Sequence, residues 1–136
     1  MIWGCQWDVA CNFIANKGDK KSITDSSSWG NYYGTSVKAD DGTTEIKASG
    51  DVQVLNTGKT TFTMANNIYD LAGNLYEWTQ EAIHTFGRAS RGGYYGNDGS
   101  DSPASRRING IPAYSDHALK RFSSHFNNKV ALNSRA

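Results

Sequence analysis

Residues 65–81 read ANNIYDLAGNLYEWTQE, and this stretch carries most of the information about the fold. After a turn-forming Asn pair comes a short polar loop, Asp70–Asn74, whose glycine and asparagine both tolerate a positive φ. From Asn74 to Gln80 the side chains alternate in character, and their aromatic content favours a pleated strand. Tyr76 and Trp78 share one face of this predicted strand, so we expect both to anchor the core.

Three motifs in this sequence resemble those of a known family. The segment NIYDLAGNLYEWT at 67–79, followed by RASRGG at 88–93 and SPASR at 102–106, is similar to the signature of the formylglycine-generating enzyme (sulfatase-modifying factor) family. The resemblance implies an α+β domain with a variant of the C-type lectin fold: a small twisted antiparallel sheet, a short helix and long loops. It further implies that 1–136 is a single domain, the C-terminal part of a longer chain, with the RGG strand beside the EWT strand.

The composition fits a loop-rich domain that buries aromatic side chains. The chain has 136 residues, the size of one ordinary domain, with 14 Gly, 7 Tyr, 5 Phe and 4 Trp. A net charge of +1 argues against nucleic acid as a general partner. No stretch is apolar for long enough to cross a bilayer, and the first residues are not a signal peptide. Localisation stays open: cell surface, secreted or phage particle if the full chain has an export signal, and otherwise cytoplasmic.

The first segment has the pattern of a short helix. Apolar residues approximate one helical face over residues 6–17, until Asn16-Lys-Gly18 ends the pattern. Cys5 and Cys11 have neither CxxC spacing nor a nearby histidine, so they do not form a metal site. We expect two buried, small apolar side chains.

The middle of the chain is predicted to consist of loops. Residues 18–64 are mostly polar, with aromatic residues at Trp29, Tyr32 and Tyr33. Residues 47–50 and 51–55 are candidates for two short strands. After the central strand we expect a connector at 82–86 and a second strand at 88–95.

The resemblance also implies a metal site. Asp70, Gly73, Leu75 and Glu77 match the family positions that bind calcium through two side-chain oxygens and two backbone carbonyls. Ca²⁺ takes six to eight oxygen ligands, and a tight loop can direct several of them to one point. The alternative is that Asp70 caps the turn and Glu77 pairs with an arginine such as Arg91.

Catalysis is not expected in this part of the chain. The family's oxygenase chemistry depends on two copper-binding cysteines located after the RGG strand, and residues 64–136 contain no cysteine. The related sulfoxide synthases use an iron-binding histidine set, whose spacing His84, His117 and His125 lack. We therefore expect no copper site and a retained fold without activity. The alternative is a fragment of an oxidoreductase whose active residues are missing or lie upstream.

The same lectin-like variant occurs in the variable proteins of diversity-generating retroelements of phages and bacteria, whose C-terminal part displays diversified residues. Residues 94–128 are rich in Tyr, Asn, Ser, Asp, His and Gly, which suit adaptable binding. Arg106 is predicted to form a structural ion pair beneath a loop. We expect a ligand that is a protein, a small molecule or a glycan; a purely architectural role is the alternative. The predicted ligand-binding residues are Tyr94, Tyr95, Asn97, Asp98, Tyr114, Asp116 and His117.

Overall fold

The computed structural model describes residues 1–84 and 87–112, which form an α+β domain. Within these ranges there is one α-helix, α1, at Gly4–Asn16, and no helix is long and apolar enough to cross a membrane. The strands form two two-stranded sheets and one three-stranded sheet, which contains the last three strands in chain order, and all pairs are antiparallel. The strands are β1 Val37–Lys38, β2 Glu45–Lys47, β3 Met64–Ala65, β4 Ile68–Tyr69, β5 Glu77–His84, β6 Gly87–Arg91 and β7 Arg107–Pro112, with a 3-10 helix at Thr61–Thr63 before β3.

The core is built on one face of α1. Trp7, Cys11 and Ile14 recur at helical spacing and are all buried. The Trp7 indole donates a hydrogen bond of 2.8 Å to the Ala104 carbonyl, so its polar edge is satisfied inside the core. The other members of this core cluster come from loops and short strands: Trp29, Tyr32, Ala65, Leu71, Ala72 and Ala104.

The central strand begins later than the side-chain alternation predicts. Strand β5 starts at Glu77, because Asn74 occupies a left-handed turn (φ 60°) instead of extended backbone. Tyr76 and Trp78 are consequently half-buried, and the prediction that they anchor the core is wrong. The fully buried side chain is Thr79, whose hydroxyl donates to the Ala89 carbonyl at 3.1 Å.

The second strand pairs with β5 as expected. Strand β6 ends at Arg91 and lies antiparallel to β5, with Trp78 opposite Ser90. Gly92 and Gly93 follow with φ of 83° and 73°, so the chain leaves the sheet there. The predicted connector at 82–86 is wrong in part, because β5 continues to His84.

The helix prediction is confirmed, whereas two other local predictions are not. The predicted helix at 6–17 is observed, beginning two residues earlier. The short strands predicted at 47–50 and 51–55 are wrong, since β2 ends at Lys47 and residues 48–55 join no sheet. Cys11 is buried, and this burial raises the pKa of its thiol to about 11. Cys5 lies in the helix and is exposed, so its predicted burial is wrong.

Candidate functional site

The turn at Gly73 and Asn74 joins three segments that are distant in sequence. The Asn74 side chain accepts hydrogen bonds from the Leu55 N–H (2.8 Å) and the Asn31 amide (3.0 Å), and donates to the Leu55 carbonyl (3.0 Å). Its backbone N–H donates to the Asn31 carbonyl, and its carbonyl accepts from the Tyr95 N–H at 2.9 Å. Gly73 has φ of 71°, and a Cβ there would overlap the Asn31 backbone. A buried asparagine therefore fixes where the Tyr95 loop begins.

Tyr32 holds both ends of that loop from below. Its hydroxyl lies 3.0 Å from the Gly92 carbonyl and 2.9 Å from the Ser102 carbonyl, so one O–H proton is shared between the two flanks of residues 93–101. The Tyr32 carbonyl accepts from the buried Lys47 ammonium at 2.8 Å. Desolvation lowers the pKa of Lys47, and backbone carbonyls replace the water that it loses. From the sequence, Tyr32 was expected in a loop and Lys47 at the start of a short strand, and neither was expected to support the loop from below.

Four of the predicted binding residues lie in this loop. Tyr94 and Tyr95 form an aromatic face together with Tyr76, and the Asn97 side chain bonds to that face. The rings of Tyr94 and Tyr95 meet edge to face, with centroids 5.2 Å apart, and Tyr94 also contacts Tyr76 at 5.1 Å. The Asn97 side-chain oxygen accepts from the Tyr76 hydroxyl at 2.8 Å and from the Tyr94 N–H at 3.1 Å. Tyr94, Tyr95 and Asn97 are half-buried, so each keeps a solvent-facing edge, and Asp98 is exposed.

Asp98 adds a fixed negative charge to the same loop. Its carboxylate accepts from the Ser100 hydroxyl (2.6 Å) and N–H (2.8 Å), and these bonds lower its pKa. Arg106 was predicted to form an ion pair, and its side chain is exposed. Within residues 1–84 and 87–112 the ion pairs are made by Arg91 and Arg107. Desolvation raises the pKa of Tyr76, and the positive charge of Arg106 partly opposes that rise. The remaining predicted binding residues, Tyr114, Asp116 and His117, lie outside the described residues.

The predicted metal ligands Asp70 and Glu77 are close enough to interact electrostatically. Asp70 is buried in a left-handed turn (φ 58°), and its carboxylate accepts from the Gly58 N–H at 3.1 Å. The pKa of Glu77 is raised, first by desolvation and then by the Asp70 charge, against a smaller lowering effect of the amino terminus. Neither carboxylate has an ion-pair partner in the described part of the chain.

The fit to calcium depends on backbone oxygens. In the same ranges no three His, Cys, Asp or Glu side chains form a metal-binding group. A cation here would need Asp70 and Glu77 together with carbonyl oxygens such as those of Gly73 and Leu75, which is a donor set that Ca²⁺ accepts and softer metals do not favour. The two carboxylates are oxygen donors of the kind that Ca²⁺ prefers, and backbone carbonyls would have to supply the other protein ligands.

Arg91 forms ion pairs, but Glu77, the partner that the alternative interpretation suggested, is not in them. Its guanidinium is buried and lies 3.1 Å from Asp8 and 2.8 Å from Glu81, and Glu81 also contacts Arg107 at 2.9 Å. Glu77 and Arg91 are opposite each other in the paired strands β5 and β6, but the predicted ion pair between their side chains is wrong. The network joins α1 to the three-stranded sheet.

Comparisons with known proteins agree with this architecture. No protein-family model and no curated protein matches the chain. A search of solved structures finds Treponema denticola variable protein 1, with a TM-score of 0.51 and 18% identity over 83% of this chain. The chain spans 42% of the length of that protein. At this identity the likeness shows the fold: an α+β, C-type lectin fold of the kind found in retroelement variable proteins. It agrees with the variable-protein side of the resemblance; membership of the formylglycine-generating enzyme family stays a prediction.

Proposed function

We propose that this chain is a non-catalytic binding domain of a retroelement variable protein, and that its ligand contacts Tyr94, Tyr95, Asn97 and Asp98. The observation that carries the proposal is how the loop is held. Its position depends largely on backbone groups and on Tyr32 and Asn74 beneath it. The outward side chains of Tyr94 and Tyr95 can therefore change while the loop keeps its path. A fixed backbone that displays variable side chains is the arrangement antibodies use.

The first test is to sequence this locus in independent isolates. We expect codon differences to concentrate in the loop at 94–98, next to a gene for a reverse transcriptase and a near-copy of this segment. Codons 31, 32, 55 and 74, which encode the buried supports, should not vary. Equal variation at the two sets of codons, with no near-copy, would contradict diversification.

The second test measures tolerance directly. A display library randomised at Tyr94 and Tyr95 should remain mostly folded and should yield binders to an arbitrary probe protein such as streptavidin. A matched library randomised at Tyr32 and Asn74 should lose folding in most members, because these side chains satisfy buried backbone groups. If both libraries unfold alike, the loop is not a separable binding surface.

We also propose that Ca²⁺ binds at Asp70, Gly73, Leu75 and Glu77 and stabilises the central loop. The supporting observation is that the buried Asp70 lies near the Glu77 carboxylate, whose pKa is raised by desolvation and then by the Asp70 charge, and that within residues 1–84 and 87–112 neither carboxylate has an arginine or lysine as its ion-pair partner. Unpaired buried charge is unfavourable, and a divalent cation would compensate for it. When bound, the ion would supply structural cross-linking and no chemistry.

Thermal unfolding with excess Ca²⁺ and with a chelator tests this site. At a hundredfold excess over Kd, the ion should add about 2.7 kcal/mol of stability. Glu77→Gln should abolish that gain, yet should not destabilise the chelated protein, because it removes the repulsion with Asp70. Asp101→Asn serves as the control, since it removes an exposed carboxylate and should leave the calcium gain unchanged. A gain that survives Glu77→Gln would exclude this site.

A further inference from the structure

Exposed apolar side chains form two groups in the described residues. Of ten large exposed hydrophobic residues, five lie within residues 1–13, at the amino terminus and on α1. Four others come from three separate segments of the chain, and each is about half exposed or more. They are Tyr33 (50%), Val52 (64%), Val54 (48%) and Leu75 (49%), here called the apolar patch. None of the four is among the predicted residues of the ligand-binding loop, although Leu75 was predicted to bind calcium through its backbone carbonyl.

Hydrogen bonds place the apolar patch next to the Tyr94 loop. The Tyr33 N–H donates to the Asn97 carbonyl at 3.0 Å, and the Tyr33 carbonyl accepts from the Gly50 N–H at 2.7 Å. The segment that follows Gly50 is held at its other end by Leu55, whose backbone N–H and carbonyl both bond to the Asn74 side chain. Val52 and Val54 thus lie between two hydrogen-bonded points: Gly50, which bonds to Tyr33, and Leu55, which bonds to Asn74, the residue before Leu75.

Acidic side chains border the patch on its Tyr33 side. Asp98 Oδ2 lies 4.0 Å from the position that a Cβ would take on Gly34, the residue after Tyr33. Asp51 directly precedes Val52 and is exposed. Asp25 is near enough to Asp98 for the two charges to interact. The border is therefore negative on the Tyr33 side, whereas the exposed Arg106 places positive charge near Tyr76.

We infer that the binding surface extends from Tyr94 and Tyr95 across the apolar patch, and that its occupant is a protein with an apolar centre and basic side chains around it. This inference rests on the proposed function, because it names the partner class for the same surface. Valine and leucine cannot bond to sugar hydroxyls or stack on sugar rings, but they gain free energy when a protein surface removes them from water. The negative border favours Lys and Arg in the partner and disfavours acidic surfaces.

The test is a selection on the purified chain with phage-displayed random peptides as minimal protein ligands, alongside a glycan array. Selected peptides should carry apolar residues flanked by Lys or Arg. Combining Val52→Ser with Val54→Ser should weaken their binding about tenfold or more, since truncation at the centre of an interface typically has this effect. Val9→Ser is the matched control: Val9 is 69% exposed on α1 and should leave binding unchanged. Thermal unfolding verifies that all variants are folded.

Three outcomes would overturn the inference. Binding that is lost with Tyr94→Ser and Tyr95→Ser, but kept by the Val52 and Val54 variant, would restrict the surface to the loop and leave the proposed function intact. Binding to glycans without binding to peptides would replace the partner class. Peptides whose binding survives both sets of substitutions would overturn the proposed function as well.

Discussion

Tyr32 and Tyr33 are adjacent in sequence but belong to two regions with opposite properties. Tyr32 is fully buried, and its hydroxyl joins both flanks of the binding loop. Tyr33 is half exposed, and its backbone N–H donates a hydrogen bond to that loop at the Asn97 carbonyl. The comparison separates a buried junction, made of Asn31, Tyr32, Lys47 and Asn74, from the surface that it supports. In the junction the chemistry of each side chain matters, whereas on the surface the backbone sets the geometry.

This division explains how a domain with little regular structure can display loops reliably. A buried polar group that finds its partner stabilises the fold modestly, but one that loses its partner is costly. The junction satisfies carbonyl and N–H groups of loops that no sheet pairs. These hydrogen bonds fix the loops without regular structure. The outward side chains of Tyr94 and Tyr95 therefore contribute little to the path of the loop.

The largest effect is expected from Asn74→Ala, which should destabilise the protein by about 3 kcal/mol or more and lower Tm by about 10 °C. The substitution leaves the Leu55 N–H and carbonyl without their partner, and it removes one of the two hydrogen bonds that the Asn31 amide donates. It also places alanine at φ of 60°, which asparagine tolerates better. Thermal or urea unfolding measures the change. Asn56→Ala, at an exposed position, is the control and should change stability by less than about 0.5 kcal/mol.

A smaller effect is expected from Tyr32→Phe, about 1–2 kcal/mol at neutral pH, because the two loop carbonyls lose a donor while the ring still fills its site. The variant also has a pH signature. Burial raises the pKa of the Tyr32 hydroxyl above its ordinary value of 10.0. A raised folded-state pKa contributes stability that is complete below pH 10 and is lost as pH increases further, because only the unfolded chain ionises readily.

Unfolding free energies at pH 8 and pH 11 check this sign. The wild type should lose more stability between these pH values than Tyr32→Phe does, while Tyr33→Phe should behave as the wild type. An equal loss in wild type and Tyr32→Phe would mean that the buried hydroxyl ionises in the folded state, and the junction would then be open to solvent.

The sequence predicts the parts of this fold that depend on local patterns. Helix α1 follows from apolar spacing, and the pairing of β5 with β6 was implied by the family resemblance that the EWT and RGG motifs carry. From their residue types, residues 94–128 were predicted to display binding side chains, and that role stays a prediction. Each of these depends on residues that are close in the chain.

The junction could not be predicted in the same way. Lysine and asparagine are usually exposed, so nothing local indicates that Lys47, Asn31 and Asn74 are buried. Their burial depends on backbone groups many residues away, such as Leu55 for Asn74. The same long-range bonds make Asn74 a turn residue instead of the first residue of a strand, which is why Tyr76 was wrongly assigned to the core. The apolar patch was missed because its members become neighbours only through these bonds.

The smallest effect is expected from Tyr33→Ser, and it tests the comparison most directly. Half of the Tyr33 surface is already in water, and its backbone hydrogen bonds do not need the ring. The substitution should therefore change the free energy of unfolding by no more than about 0.5 kcal/mol. The same urea titration that measures Tyr32→Phe provides the comparison. A loss as large as that of Tyr32→Phe would mean that Tyr33 supports the fold through its ring. The boundary between junction and surface would then lie one residue further along the chain, and Tyr33 would leave the proposed apolar patch.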